Sequence, residues 1–290
     1  MRADLHMHST ASDGVLPPDE LMHRAAAAGV ELIALTDHDC IDGLELSRTA
    51  ALAAGMGWVS GVELSAQWQS RTLHILGYGF DPEDVDFQQA LSEVRNGRWR
   101  RAEQIADKLA QKNMPGALEG AIEQQRLAGA DEDSPPARPH FADWLVASGY
   151  VSDRAAAFQK WLGAGKLGDI RQHWPTLDTV VAQIRAAGGI AVIAHPWQYG
   201  FSRSQLRKLL RAFAEAGGRG IEVVNGKQPV EQVAYLGKLS CELGFLVSCG
   251  SDFHNPDSPW MALGQMTALP PDCQPLWQDE AFNAAPGRCG

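Results

Sequence analysis

Glu31-Leu-Ile-Ala-Leu-Thr36, followed at once by Asp37-His38-Asp39, is the stretch on which the fold turns. Its apolar run is short and does not alternate with polar residues, as expected of a strand covered on both faces. It ends on ionisable groups. The pattern recurs along the chain. Ala3–His6 ends in histidine, Trp58–Val62 leads to Glu63, and Leu73–Leu76 contains His74. Ile190–Ala194 leads to His195, Ile221–Val224 to Asn225, and Phe245–Cys249 to Ser251 and Asp252. Amphipathic segments lie between them, at Pro18–Ala28, Leu44–Ala54, Leu177–Ala187, Ser204–Ala216 and Val230–Leu243, and several end in glycine as helices do. Strands alternating with helices predict an α/β protein with a parallel sheet. An open doubly wound sheet also gathers ligands at its carboxyl strand ends. Ionisable residues delivered by nearly every one of seven strands favour a TIM-like barrel instead.

One stretch breaks the rhythm. Between Asp81 and about Gly165 no strand-like run occurs, and helical segments dominate at Asp86–Lys112, Ala117–Leu127, Phe141–Ser148 and Ala155–Leu162. The expected organisation is therefore a barrel from residues 1–80 and 166–290, with a helical insertion at 81–165 that caps the substrate. The acidic, proline-containing Ala130–Pro136 segment reads as a loop within it, and the tail after Ala268 as irregular. A net charge of −10 argues against a broad basic surface for nucleic acid, though clustered cations reverse the sign locally. No apolar run approaches ~20 residues, so no membrane span is expected. Five scattered cysteines without a C-x-x-C pair read as reduced thiols, which points to the cytoplasm. No protein partner is evident.

Nine histidines are present, and six lie in or near the strand-end positions. A single histidine on an apolar strand is commonly structural; the joint arrangement carries the argument. His6 and His8 project to one side of an extended chain, as do Asp252 and His254. Asp13 follows in a Ser-Asp-Gly turn close enough to fold back, and His38, Glu63, His74 and His195 complete the set. Imidazole with carboxylate suits zinc, manganese or iron without cysteine. Six histidines and three carboxylates exceed the needs of one ion, so two or three divalent metals are expected, with at least one bridging carboxylate. Two such ions about 3.5–4 Å apart could activate a bridging water as a nucleophile.

With these pieces in order, His-Met-His-Ser at 6–9, Thr-Asp-His at 36–38, Gly-Val-Glu at 61–63, His-Pro at 195–196 and Ser-Asp-Phe-His at 251–254, the chain resembles the polymerase and histidinol phosphatase (PHP) phosphoesterases over almost its whole length. The resemblance implies a distorted (β/α)7 barrel and a trinuclear centre, with manganese the expected metal and zinc, iron or magnesium as alternatives. By that resemblance His6, His8, Glu63 and Asp252 would hold one metal. Glu63 would bridge to a second on His74 and His195, and Asp13, His38 and His254 would hold the third.

A smaller branch of that family, with a helical insertion, carries Arg-Pro-His ahead of Ala-Phe, Leu-Gly and Gly-Lys. The counterparts here are Arg138-Pro139-His140, Ala157-Phe158, Leu162-Gly163 and Gly165-Lys166, with Ala137 standing where that branch has glycine. The branch implies removal of the 3′-phosphate from nucleoside 3′,5′-bisphosphates, such as 3′-phosphoadenosine 5′-phosphate, or 5′→3′ trimming of short RNA or DNA. Arg138, His140 and Lys166 are the candidate substrate-binding residues, with Arg98, Arg100, Arg101 and Arg171 behind them. Asp37 and His254 are candidates for protonating the leaving oxygen. Trp99 or Trp144 could stack bases of an oligonucleotide. His23 and His173 are left outside the site. Amide hydrolysis on a related barrel lacks its lysine-derived carboxylate here, and a catalytically silent module conflicts with a full ligand set.

Overall fold

The computed structural model describes residues 1–129, 134–170 and 174–289. The chain runs β1 (Ala3–Asp4), α1 (Pro18–Ala27), β2 (Leu32–Ile33), α2 (Leu44–Ala53), β3 (Gly57–Val59), β4 (Gly61–Trp68) and β5 (Arg71–Tyr78). Helices α3 (Val85–Ala110), α4 (Ala117–Leu127), α5 (Arg138–Ala147) and α6 (Arg154–Ala157) follow, and α6 runs into a π-helical turn at Phe158–Leu162. The return comprises α7 (Leu177–Ala186), β6 (Ile190–Ile193), α8 (Arg203–Glu215), β7 (Gly220–Asn225), α9 (Val230–Leu243) and β8 (Leu246–Gly250). The tail adds α10 (Glu280–Asn283) and β9 (Arg288–Cys289).

The helices follow from local chemistry. Ser202 caps α8 by accepting from the Gln205 N–H, and Gln205 accepts in return from the Ser202 N–H. Leu206, Leu209, Leu210 and Phe213 then recur at helical spacing and are buried. Burying Phe213 completely contributes roughly 1.5–3 kcal/mol. Asp84 caps α3 through the Phe87 N–H at 2.8 Å.

The fold is mixed α/β as expected, but the strand pairing among the described residues shows no closed barrel and does not by itself establish the distorted (β/α)7 arrangement. The described strands form two sheets, β1-β2-β3-β9 and β4-β5-β6-β7-β8. Within the second, β5 is antiparallel to both neighbours, because β4 and β5 are a hairpin closed by Gln69 and Ser70 with Trp68 opposite Arg71. His74 therefore sits inside a strand rather than at the end of one. The sheets meet at two irregular seams, one bridge joining Met7 to Phe253 and another joining His38 to Glu63. At the first, Leu5 N donates to the Cys249 carbonyl and His8 N to that of Phe253; at the second, Asp39 N donates to the Glu63 carbonyl. These seams converge on the candidate ligands.

The tail departs from expectation as well, since β9 adds to the first sheet by pairing Cys289 with Trp58. The helices between residues 85 and 162 bury a core of their own, with Ile105, Leu109, Phe141, Trp144 and Leu145 at its centre. Trp144 belongs to that core and is not a stacking platform; it closes so tightly on Gly120 that a Cβ there would lie 1.9 Å from the indole. The first half of α3 packs instead on the main core through Phe87 and Leu91. Part of the Ala130–Pro136 segment, and Arg171 and His173, lie outside the described residues. No helix among the described residues is long and apolar enough to cross a membrane.

Candidate metal centre

Leu5–Ser9 extends β1 between the β2 and β8 extensions, where Met7 N donates to Thr36 Oγ1 and Thr36 N to the Met7 carbonyl. That pins His6 and His8 on one side, and their Nε2 atoms converge to 3.2 Å. Gly250 permits the approach, since a Cβ there would lie 2.1 Å from His6 Cβ. Glu63, wholly buried on β4, stands at the centre. Its Oε2 lies 3.3 Å from His6 Nε2, 3.2 Å from His8 Nε2 and 3.0 Å from His38 Nδ1. Its Oε1 lies 3.0 Å from His74 Nδ1 and 2.9 Å from His195 Nε2. The two oxygens of one carboxylate thus face two different sets of imidazoles. Asp252 Oδ1 approaches the His6 and His8 Nε2 atoms at 3.5 and 3.4 Å. Asp13 Oδ1 lies 3.3 Å from His254 Nε2 and 4.0 Å from His38 Nε2. All nine predicted residues come together.

Cations fit this donor set better than protons do. His8 Nδ1, Asp13 Oδ1, His38 Nδ1, Glu63 Oε2 and His74 Nδ1 are buried and have no hydrogen-bond partner among the described residues, although oppositely charged or lone-pair atoms surround them. Unpaired buried polar atoms are costly unless an ion completes them. Four overlapping groups bring their donor atoms within 4.8 Å of one another: His8, Asp13, His38 and His254; His6, Glu63 and His195; His6, His8 and Asp252; His38, Glu63 and His74. Burial alone would raise the carboxylate pKa values. Surrounding histidines outweigh it and hold Glu63, Asp252 and Asp13 well below the usual range. Burial would lower His254, but Asp13 and Asp252 push it up to about 10. His38 goes the other way, held well down by burial despite Glu63 and Asp13.

Glu222, inside β7, is a functional residue that strand-end position does not reveal. Its buried carboxylate accepts from His6 Nδ1–H at 2.9 Å through Oε1 and from the His195 N–H at 2.6 Å through Oε2. That bond leaves His6 Nε2 as the lone pair turned toward Glu63. Asn225 Nδ2 donates to Asp252 Oδ2, and Tyr199 Oη accepts from the His74 N–H. The signal for Glu222 was a carboxylate inside an otherwise apolar strand. Backbone conformation is also stretched here: Asp39, His195 and Asp252 have φ of 50°, 27° and 55°.

Asp37 is engaged by the loop that follows β1. Its carboxylate accepts from Ser9 N, Ser9 Oγ and Ser12 Oγ at 2.8, 2.7 and 2.6 Å, which shapes the loop carrying Asp13. His254 remains beside Asp13, its Nδ1 donating to the Asp252 carbonyl.

A cavity of about 200 Å³ is lined by the candidate ligands Asp13, His38 and His74 together with Arg98, Arg101 and Arg138. Arg98 pairs with buried Asp39 at 2.5 Å, and both Arg98 and Arg101 lie over the Trp174 ring. Burial and the neighbouring Arg138 and Arg98 pull Arg101 down to about 10, and its Nε has no hydrogen-bond partner among the described residues. Arg138 Nη1 donates to the Leu162 carbonyl. His140 is buried and caps its own helix, accepting from the Ala137 N–H. Lys166 is exposed and does not line the cavity, whereas Arg101, ranked behind it by sequence, does.

The PHP-domain family profile matches residues 4–96. The chain is 39% identical over 276 residues to the 3′,5′-nucleoside bisphosphate phosphatase of Chromobacterium violaceum, covering 95% of both. It is 40% identical over 275 residues to a 5′-3′ exoribonuclease of Haemophilus influenzae, covering 95% of this chain and 97% of the relative. A solved structure described as an amidohydrolase from Chromobacterium violaceum, with sulfate and no metal, superposes with a TM-score of 0.89 at 38% identity, covering 98% and 97% of the two chains.

Proposed function

The chain belongs to the PHP family of metal-dependent phosphoesterases, and from that premise we propose that it removes the 3′-phosphate from nucleoside 3′,5′-bisphosphates. The observation that carries this reading is that Arg98, Arg101 and Arg138 line the same small cavity as Asp13, His38 and His74. Arg98 is already paired with Asp39, so Arg101 and Arg138 are the guanidiniums left to meet a phosphate, and a 5′-phosphate held there leaves the 3′-phosphate against the imidazole cluster.

His6, His8, Glu63 and Asp252 would hold one cation. Glu63 Oε1, His74 and His195 would hold a second, and Asp13, His38 and His254 a third, with manganese our preferred metal. Bound cations would supply an activated water and neutralise the phosphoryl oxygens. The chain's own contribution is orientation. Glu222 fixes the His6 tautomer, Asn225 turns Asp252, and Tyr199 anchors the backbone at His74. We assign His254 Nε2, with Asp13 beside it, to the leaving oxygen when the third cation is absent; with that cation bound, Nε2 is a ligand and carries no proton to give. The helices of residues 81–165 act as the cap, with α3 and α5 carrying the phosphate-binding arginines.

The exoribonuclease relative supports a second reading, in which the same arginines hold the 5′-phosphate of an oligonucleotide and the first phosphodiester meets the metals. Phosphate release from 3′-phosphoadenosine 5′-phosphate by manganese-loaded protein tests the first reading. Stepwise shortening of a 5′-phosphorylated RNA without that release would replace it by the second.

A further inference from the structure

Helix α3 turns two faces to two different cavities. Arg98, Arg101, Ala102 and Ile105 line the cavity over the imidazoles. Val94, Gly97, Arg101 and Gln104 line a second cleft of about 530 Å³, closed on the other side by Trp174, Pro175, Thr179 and Gln183. At about 100° per residue the two sets point roughly a quarter-turn apart. Arg101 belongs to both and is the partition between them. The metal-side cavity, at about 200 Å³, is smaller than the ~300 Å³ at which ordinary small-ligand sites begin. It has room for phosphoryl groups and little more.

We propose that the cleft between α3 and α7 is the base compartment of the substrate site, taking the heterocycle of the nucleotide whose retained phosphate lies on Arg101. The proposal rests on the phosphate assignment made above. Val94, Gly97, Trp174 and Pro175 give the cleft an apolar floor, while Gln104, Gln183 and Thr179 supply groups that both donate and accept. Glu93 and Arg100 offset each other and Arg101 is left to the phosphate, so the rest of the cleft suits an uncharged ring. A planar ring with apolar faces and a hydrogen-bonding edge meets those requirements. Amide side chains can rotate to match different edges, so the cleft tolerates more than one base.

Calorimetric binding of adenosine 5′-monophosphate and of ribose 5-phosphate to the metal-loaded protein tests this. The parent should bind the nucleotide at least about tenfold more tightly than the sugar phosphate. Thr179→Trp, which fills the cleft from an exposed position on α7, should bring the nucleotide to within about twofold of the sugar phosphate and leave the sugar phosphate unchanged. Gln183→Ala should weaken the nucleotide alone, by a smaller factor. Equal binding of the two ligands by the parent overturns the proposal, as does a preference for the nucleotide that survives Thr179→Trp. Failure of both ligands to bind, or indifference of both to Arg101→Ala, would remove the phosphate assignment and the proposal with it.

Discussion

Replacing Glu222 with glutamine should weaken metal binding without touching a proposed ligand. Both carboxylate oxygens of Glu222 are acceptors in the native protein, Oε1 from His6 Nδ1–H at 2.9 Å and Oε2 from the His195 N–H at 2.6 Å. A glutamine keeps one acceptor and turns an NH2 toward the other donor. Either His6 loses the partner that fixes its tautomer, or the His195 amide meets a second donor inside a fully buried site. An unsatisfied buried donor costs about 1–3 kcal/mol, which corresponds to roughly 5- to 150-fold in an equilibrium constant. The same range, about 10- to 100-fold, is typical when the partner of a metal-bound histidine is lost. Competition with a chelator indicator should show that loss in apparent manganese affinity. Circular dichroism should show unchanged secondary structure, and activity should recover at higher manganese. Native affinity in Glu222→Gln would refute the argument that Glu222 orients His6 and His195.

Arg101→Ala should raise KM for a nucleoside 3′,5′-bisphosphate by about 10- to 150-fold, the worth of a charged hydrogen bond, with a smaller change in kcat; steady-state kinetics decides, and an unchanged KM would release Arg101 from phosphate binding. Gly250→Ala places a methyl 2.1 Å from His6 Cβ, so thermal unfolding of the metal-free variant should show a loss of about 1–3 kcal/mol or more. In the metal-free protein, His254 is raised to about 10 by Asp13 and Asp252. A raised histidine stabilises fully below its unfolded value near 6.5 and loses that contribution as pH climbs toward 10. The metal-free Tm should accordingly fall across that window more steeply than in His254→Gln, while manganese binding, which displaces the proton, should strengthen with pH. Equal slopes for the two proteins would contradict the His254 pairing.

The site was more legible than the architecture around it. Ligands such as His6, His8 and Asp252 announce themselves because i, i+2 spacing and a strand end leave few other reasons for clustered ionisable groups. The β4–β5 hairpin did not, because Trp68-Gln69-Ser70-Arg71 lacks the glycine or asparagine that marks most two-residue turns. Without a turn signal there, the apolar run of β5 reads as one more parallel strand of a distorted barrel. Glu222 was hidden by its position inside a strand, and Arg101 by sitting among other arginines on a helix whose buried face depends on Trp174. Lys166 shows the converse: a motif-like position that the fold leaves in solvent.

The most direct test of the metal centre is an anomalous-scattering map of crystals grown with manganese. Two or three peaks are expected within the cluster, with Oε1 and Oε2 of Glu63 each directed at a different peak and Asp13 and His254 sharing another if three are present. A single peak that leaves one Glu63 oxygen without an ion, or none at these nine residues, would contradict the account.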